Sequence, residues 1–267
     1  MAGTQDLTRT GVHPTFEKKA GQDSLRRVLQ TFSVFNADIG YCQSLSMIGA
    51  EILLVMAMVE EEAFIVLSSF VRFYFPLYFT DQMRGLLIDL EAFHVLLADR
   101  NPGLYVHLKR LSDDVGDPPI INPFVSSWLS SLLVSMLPHA KLIRLWDAIF
   151  VEGPDMLLRY CLAIFVLMER DLMKMSGALD FYTTITSLPS LLQDPRCSLF
   201  PGHSILQLSY SVGKFPFPGL RYLKTKLANN DHRTIATVGV QLDRENPTAS
   251  WDDLSKAGDL EELAEIK

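Results

Sequence analysis

Apolar residues in this chain recur three and four positions apart and almost never alternate, a spacing that only helices can turn into a buried face. Leu25, Val28, Leu29 and Phe32 follow i, i+3, i+4, i+7, with Arg26, Arg27 and Gln30 off that face and Asp23 or Ser24 placed to act as N-cap. Met83, Leu86, Leu87, Leu90, Phe93, His94 and Leu97 repeat the stripe. The same pattern predicts helices over 45–58, 60–74, 103–111, 124–137, 142–150 and 154–169. The last opens on Pro154, suited to a first helical turn, and is apolar on nearly every side from Met156 to Met168, so it belongs at the centre of a core. Further helices are expected at 178–188, 203–212 and 220–227, punctuated by Pro189, Pro195, Pro201, Pro216 and Pro218. The expected fold class is all-α, an irregular multi-helix single domain over residues 1–229 followed by a polar, acidic tail over 230–267.

With 267 residues, 48% of them hydrophobic and 21% charged, the chain has the balance of an ordinary globular protein. Its net charge is −7; Asp252, Asp253, Asp259, Glu261, Glu262 and Glu265 against Lys256 and Lys267 place −4 of that in residues 251–267. There is no basic excess to neutralise phosphates, so neither nucleic acid nor an anionic lipid surface is an expected partner. Cys42, Cys161 and Cys197 are odd in number and widely spaced, which fits reduced thiols in a cytosolic protein. The N-terminal residues hold no apolar core of signal-peptide type, so export is not expected. The longest uncharged stretch, 118–140, has an apolar part from Phe124 to Leu137 that falls short of the roughly 20 residues needed to cross a bilayer. It is expected as a buried helix, leaving no integral membrane segment.

Several chemistries find no support. No two glycines stand two apart, which excludes a G-x-G-x-x-G fingerprint, and Gly213-Lys214 lacks the upstream glycine of a phosphate-binding loop. The chain is therefore not expected to be a nucleotide-binding hydrolase or to hold a cofactor of its own. The histidines, at 13, 94, 107, 139, 203 and 232, lack i, i+4 pairing and a cysteine at zinc-site spacing, so no metal is expected. His94 falls on the apolar stripe of its helix and is expected as a hydrogen-bonded core residue. Cys42 has no base near it in sequence and is expected to be packed inside, and Met47, Met56 and Met58 are expected to fill the core.

Three segments carry a resemblance. Asn36-Ala37-Asp38-Ile39-Gly40-Tyr41-Cys42-Gln43 lies between two predicted helices, Asp6-Leu7-Thr8-Arg9-Thr10 stands upstream with Pro14 and Phe16 after it, and Arg144-Leu145-Trp146-Asp147-Ala148-Ile149-Phe150-Val151-Glu152-Gly153 follows. In this order they resemble the signatures of the TBC domain, the catalytic module of Rab GTPase-activating proteins, with a looser likeness as far as Tyr222. The family's usual first helices, with a G-[ILV]-P…R…W pattern, are not found, so the resemblance is to an N-terminally truncated domain. Ser44 stands where a glycine commonly follows the Y-x-Q triplet, and Ala37 where proline is frequent.

The resemblance implies that the chain stimulates GTP hydrolysis on a Rab small GTPase in trans, with GTP and Mg2+ held by the partner. Arg9 would be the arginine finger, its planar fork spanning phosphate oxygens, and such an arginine contributes roughly 10³ to 10⁵ in rate. Gln43 would be the glutamine finger, a carboxamide able to accept from the attacking water while donating to phosphate. Asp6 and Tyr41 would support the two fingers. Arg144, Trp146, Asp147, Glu152 and Gly153 are expected to be structural: Arg144 and Asp147 stand at i, i+3 in position to pair, Trp146 offers an indole to bury, and Glu152-Gly153 closes the helix. Substrate choice would lie in loops such as 112–121. The implied setting is vesicle trafficking, with a cytoplasmic protein peripheral on endomembranes through its partner. The alternative on the same fold is a catalytically weak or inactive Rab-binding adaptor.

Overall fold

The computed structural model describes residues 13–39, 42–80, 82–113, 119–193, 205–212, 224, 225 and 228. These residues form helices and turns, with no strand among them. A 3-10 turn, Pro14–Glu17, leads into α1 (Lys19–Phe35), followed by α2 (Gln43–Val55) and α3 (Glu60–Ser69), which passes into one π turn, Phe70–Tyr74. Then come α4 (Arg84–Arg100), α5 (Pro102–Asp113), α6 (Asn122–Ser130), α7 (His139–Glu152), α8 (Asp155–Leu172), α9 (Ala178–Gln193) and α10 (Ile205–Ser211). The predicted helix at 220–227 lies mostly outside the described residues, and the acidic tail entirely so. Two compact units share the chain, each built from separate stretches.

The first unit takes the described residues up to Leu86 together with Pro123–Leu157 and 182–193. Helices α1, α2 and α3 pack pairwise, and Leu25, Val28, Leu29 and Phe32 are all buried, as the stripe requires. Helix α1 begins earlier than Asp23 or Ser24 would have it. Its N-cap is Lys18, which makes no side-chain cap bond, and Asp23 instead pairs with Arg26 at 2.8 Å within the helix. The 3-10 turn explains the shift: Lys18 N–H donates to Thr15 O, and the Gln22 side chain donates to Phe16 O at 3.0 Å, so the turn itself starts the helix. Gly21 allows that approach, because a Cβ there would stand 2.3 Å from the Thr15 carbonyl oxygen.

The apolar run 124–137 is not one helix. Helix α6 stops at Ser130, and Leu132 and Leu133 turn left-handed at φ 49° and 65°, with Leu133 N–H closing back on Trp128 O at 2.8 Å. A left-handed residue without glycine's freedom costs on the order of 1–3 kcal/mol. Leu132 and Leu133 are 1% and 0% exposed, and burying a leucine gains a similar amount, roughly 1.5–3 kcal/mol, which offsets the strain. Helix α2 ends the same way short of Met58, with Ala57 and Met58 left-handed and Met58 N–H on Leu53 O at 2.7 Å. That turn lifts Met56 and Met58 part-way to the surface; with Met47 they are half-buried, not core fillers. Pro189, expected to break its helix, lies inside α9, where buried Ile185, Leu188 and Leu192 hold one face in place.

The second unit comprises Leu87–Asn122, Leu158–Phe181 and the described residues from Ile205 on. Phe93 and Phe165 meet with ring centres 5.3 Å apart in its core. From Leu158 to Phe165 every residue of α8 is buried, in keeping with a central helix, and this includes the charged Arg159. Arg159 donates to Tyr210 O at 3.2 Å and lies over the Tyr210 ring. His94 is buried, its Nε2 2.6 Å from Asn122 Oδ1, and burial lowers its pKa. Leu87, expected on the buried stripe, is 42% exposed, and Met83 is exposed as well, so the buried face of α4 is narrower than the repeat suggested.

Two stability predictions follow from this packing. Gly21→Ala should cost about 1–3 kcal/mol in denaturant unfolding, since its methyl meets backbone, whereas Gly49→Ala, whose Cβ would sit 3.4 Å from Leu25 and Leu29 methyl groups, should stay within about 1 kcal/mol of wild type. Burial raises the Glu91 carboxyl to about 7. Below about 4.5 the group is protonated whether folded or not, so its penalty is absent there; the penalty grows as pH rises to 7 and is complete above it. Glu91→Gln should therefore match wild type near pH 4 and be more stable near pH 8, by roughly 1–2 kcal/mol after allowance for solvent screening.

Candidate functional site

The site is set by how the chain leaves α1 and enters α2. Asn36, buried at the end of α1, directs both its backbone N–H (2.8 Å) and its side-chain amide (3.3 Å) to Phe32 O, which fixes the exit. Ile39 N–H then donates to Asn36 O at 3.0 Å. Cys42, in extended conformation, is the N-cap of α2 and makes no side-chain cap bond, so its own side chain leaves the leading amides of the helix uncovered. A helix start of that kind is a favourable place for negative charge.

Gln43 is the first residue of α2 and is exposed, and its side chain has no hydrogen-bond partner among the described residues. Its carbonyl is engaged, accepting from the Ser46 hydroxyl at 2.7 Å, so the backbone under the side chain is held while the carboxamide stays open. Cys42 is half-buried, not packed inside, because the N-cap position lies at the edge of the helix. Its Sγ stands 3.8 Å from Ser44 Oγ, and no base among the described residues bonds to it.

Arg9, Asp6 and Tyr41 lie outside the described residues. The third signature falls on α7. Trp146 is buried, packs edge-on against Phe70 with centroids 5.2 Å apart, and donates its indole N–H to Leu132 O at 3.2 Å. That carbonyl sits at the left-handed turn ending α6, so Trp146 satisfies a backbone group at the break. Phe70 also meets Phe150, and Tyr74 Oη donates to Phe150 O at 3.3 Å, which ties the π turn to α7. Arg144 and Asp147 do not pair. Both are exposed, because Leu145, Trp146, Ala148 and Ile149 take the buried face. Glu152 is exposed too, and Gly153 closes α7 at φ 100° with its N–H on Ile149 O.

Two features of this unit carry no motif. Arg27 on α1 grips Glu60 at the start of α3 through two hydrogen bonds of 2.8 and 2.6 Å, and that bonding holds the Glu60 carboxyl down at about 2. Glu51 on α2 is buried and bonds to His139 on α7. Partners 33 and 88 residues apart leave no local spacing to read. Among the described residues no three His, Cys, Asp or Glu side chains cluster as a metal site would need.

The described residues thus form an all-helical scaffold that turns a glutamine carboxamide outward from a helix start. The chain belongs to the Rab-GTPase-TBC domain family, whose pattern residues 4–173 match. It is 31% identical to human TBC1 domain family member 30 over 268 aligned residues, covering 97% of this chain and 28% of that protein. It is 32% identical to the Schizosaccharomyces pombe GTPase-activating protein gyp2 over 162 residues, 60% of this chain and 21% of that protein. The chain therefore spans only between about a fifth and somewhat over a quarter of the length of these relatives. The crystal structure of the Chlamydomonas flagellar RabGAP TBC domain superposes with a TM-score of 0.63 at 25% identity, over 78% of this chain and 65% of that one. The Ypt/Rab-GAP domain of Gyp1p gives 0.61 at 17% identity over 83% and 71%, a likeness of fold.

Proposed function

We propose that this chain is a GTPase-activating protein for a Rab small GTPase and that it acts in trans, with the partner holding GTP and Mg2+. The observation that carries this reading is Gln43: an exposed carboxamide with no partner among the described residues, at a helix start whose N-cap side chain makes no bond, in a chain of the TBC family. Hydrolysis needs a water held in line with the phosphoryl group and charge stabilisation on the oxygens that leave with it. Gln43 accepts from the water through its carbonyl oxygen and donates through its amide to a phosphate oxygen. Arg9 supplies the cationic fork, steered by Asp6, and Tyr41 supports the loop before Gln43. The functional domain runs over residues 1–229. The partner class sets the place of action, the cytoplasmic side of endomembranes in vesicle trafficking, with attachment through the Rab protein; no helix among the described residues is long and apolar enough to cross a membrane.

Single-turnover hydrolysis across a panel of GTP-loaded Rab proteins tests the proposal. At least one should be accelerated by wild type, and Gln43→Ala or Arg9→Ala should each remove about 10²-fold or more of that acceleration. No acceleration of any Rab protein would overturn the activity, and GTP-dependent binding that survives Arg9→Ala without acceleration would establish the adaptor reading instead.

A further inference from the structure

Glu51 is the one charged residue buried in the first unit among the described residues, and it sits in an unfavourable place. Its side chain is 2% exposed on α2, among buried Gly49, Ala50, Ile52 and Leu53. A carboxylate withdrawn from water into such surroundings is tolerated when it is paired. Its partner is His139 Nδ1, from the first residue of α7, and no other residue described in the structure bonds to the Glu51 side chain. The imidazole is 55% exposed, so the histidine reaches inward from the surface to meet a carboxylate that cannot reach out.

Gly49 faces methyl groups of Leu25 and Leu29 on α1 and of Leu67 on α3, and contacts of that kind carry little direction. A helix held by them alone can shift along its axis or turn about it at small cost. A buried polar pair has one geometry and so sets register, as single polar positions do in coiled coils. Gln43 begins the same rigid helix, eight residues before Glu51 and about 12 Å along the axis. Any sliding or rotation at Glu51 is carried to Gln43.

We infer that Glu51 and His139 are positioning residues: their buried bond sets the register of α2 against α7 and thereby the place of the Gln43 carboxamide. The inference rests on the reading of Gln43 as the residue that orients water. It assigns a function to two side chains that touch neither the partner nor the nucleotide.

Wild type is compared with Glu51→Leu, His139→Ala and His139→Asn. Leucine fills the buried place with no hydrogen-bonding atom, and asparagine offers an amide N–H near the place of imidazole Nδ1–H. The first measurement is amide hydrogen exchange on the chain alone, comparing peptides from α2 and α3. Glu51→Leu and His139→Ala should speed exchange in α2 by about tenfold and leave α3 unchanged, with His139→Asn near wild type. Unchanged exchange in α2, or equal acceleration in α2 and α3, overturns the inference. The second measurement uses a responsive Rab protein. Glu51→Leu and His139→Ala should lower kcat by about tenfold to hundredfold while affinity for the partner loaded with a non-hydrolysable GTP analogue stays within about threefold, and His139→Asn should recover most of kcat. Loss of kcat and affinity in parallel, or no recovery with asparagine, overturns it. A wild type that stimulates no Rab protein removes the GTPase reading alone, and the exchange result still decides whether the pair sets α2.

Discussion

Helix α2 is buried from Leu45 to Leu53 except at half-buried Met47, yet its first residue is exposed. The rest of the first unit is arranged around that requirement. Helix α1 lays Leu25 and Leu29 against Gly49, α3 is joined to α1 by the Arg27–Glu60 grip, and the turn at Asn36 closes the end of α1. Apolar area supplies most of the free energy of this packing, while a few polar bonds decide its geometry. The Glu51–His139 bond belongs to the second kind.

The signature on α7 works at the same level. Trp146 takes up the Leu132 carbonyl that the end of α6 exposes, and its neighbour Phe70 opens the π turn after α3. One indole therefore connects a strained turn, an aromatic cluster and the helix whose first residue meets Glu51. Arg144 and Asp147, on the outer face of the same helix, are available to solvent or to another molecule.

Much of the helical order was legible because period and burial agree: α1 by its stripe, α8 by its apolar circumference, His94 by its place among leucines. Gln43 is singled out by the resemblance and by its place between two predicted helices. What escaped the sequence has a common physical cause, in that it depends on contacts made far along the chain. Leu132 and Leu133 have helix-compatible side chains, and only their burial accounts for left-handed backbone; Pro189 breaks helices in isolation but not when both flanks are packed; Lys18 begins α1 because the preceding turn is docked. Glu51 and His139 have no motif at all, and on paper each is an ordinary surface residue.

The central claim is that the carboxamide of Gln43 completes a site for the transition state of GTP hydrolysis on a partner. Transition-state mimics bind such a site more tightly than ground-state ligands. The direct test is the affinity of the chain for a responsive Rab protein loaded with GDP and aluminium fluoride, against the same protein loaded with a non-hydrolysable GTP analogue. Wild type should favour the aluminium fluoride complex by at least about 10²-fold, and Gln43→Ala should lose that preference while still binding the analogue form. Equal affinity of the wild type for both forms would contradict the account.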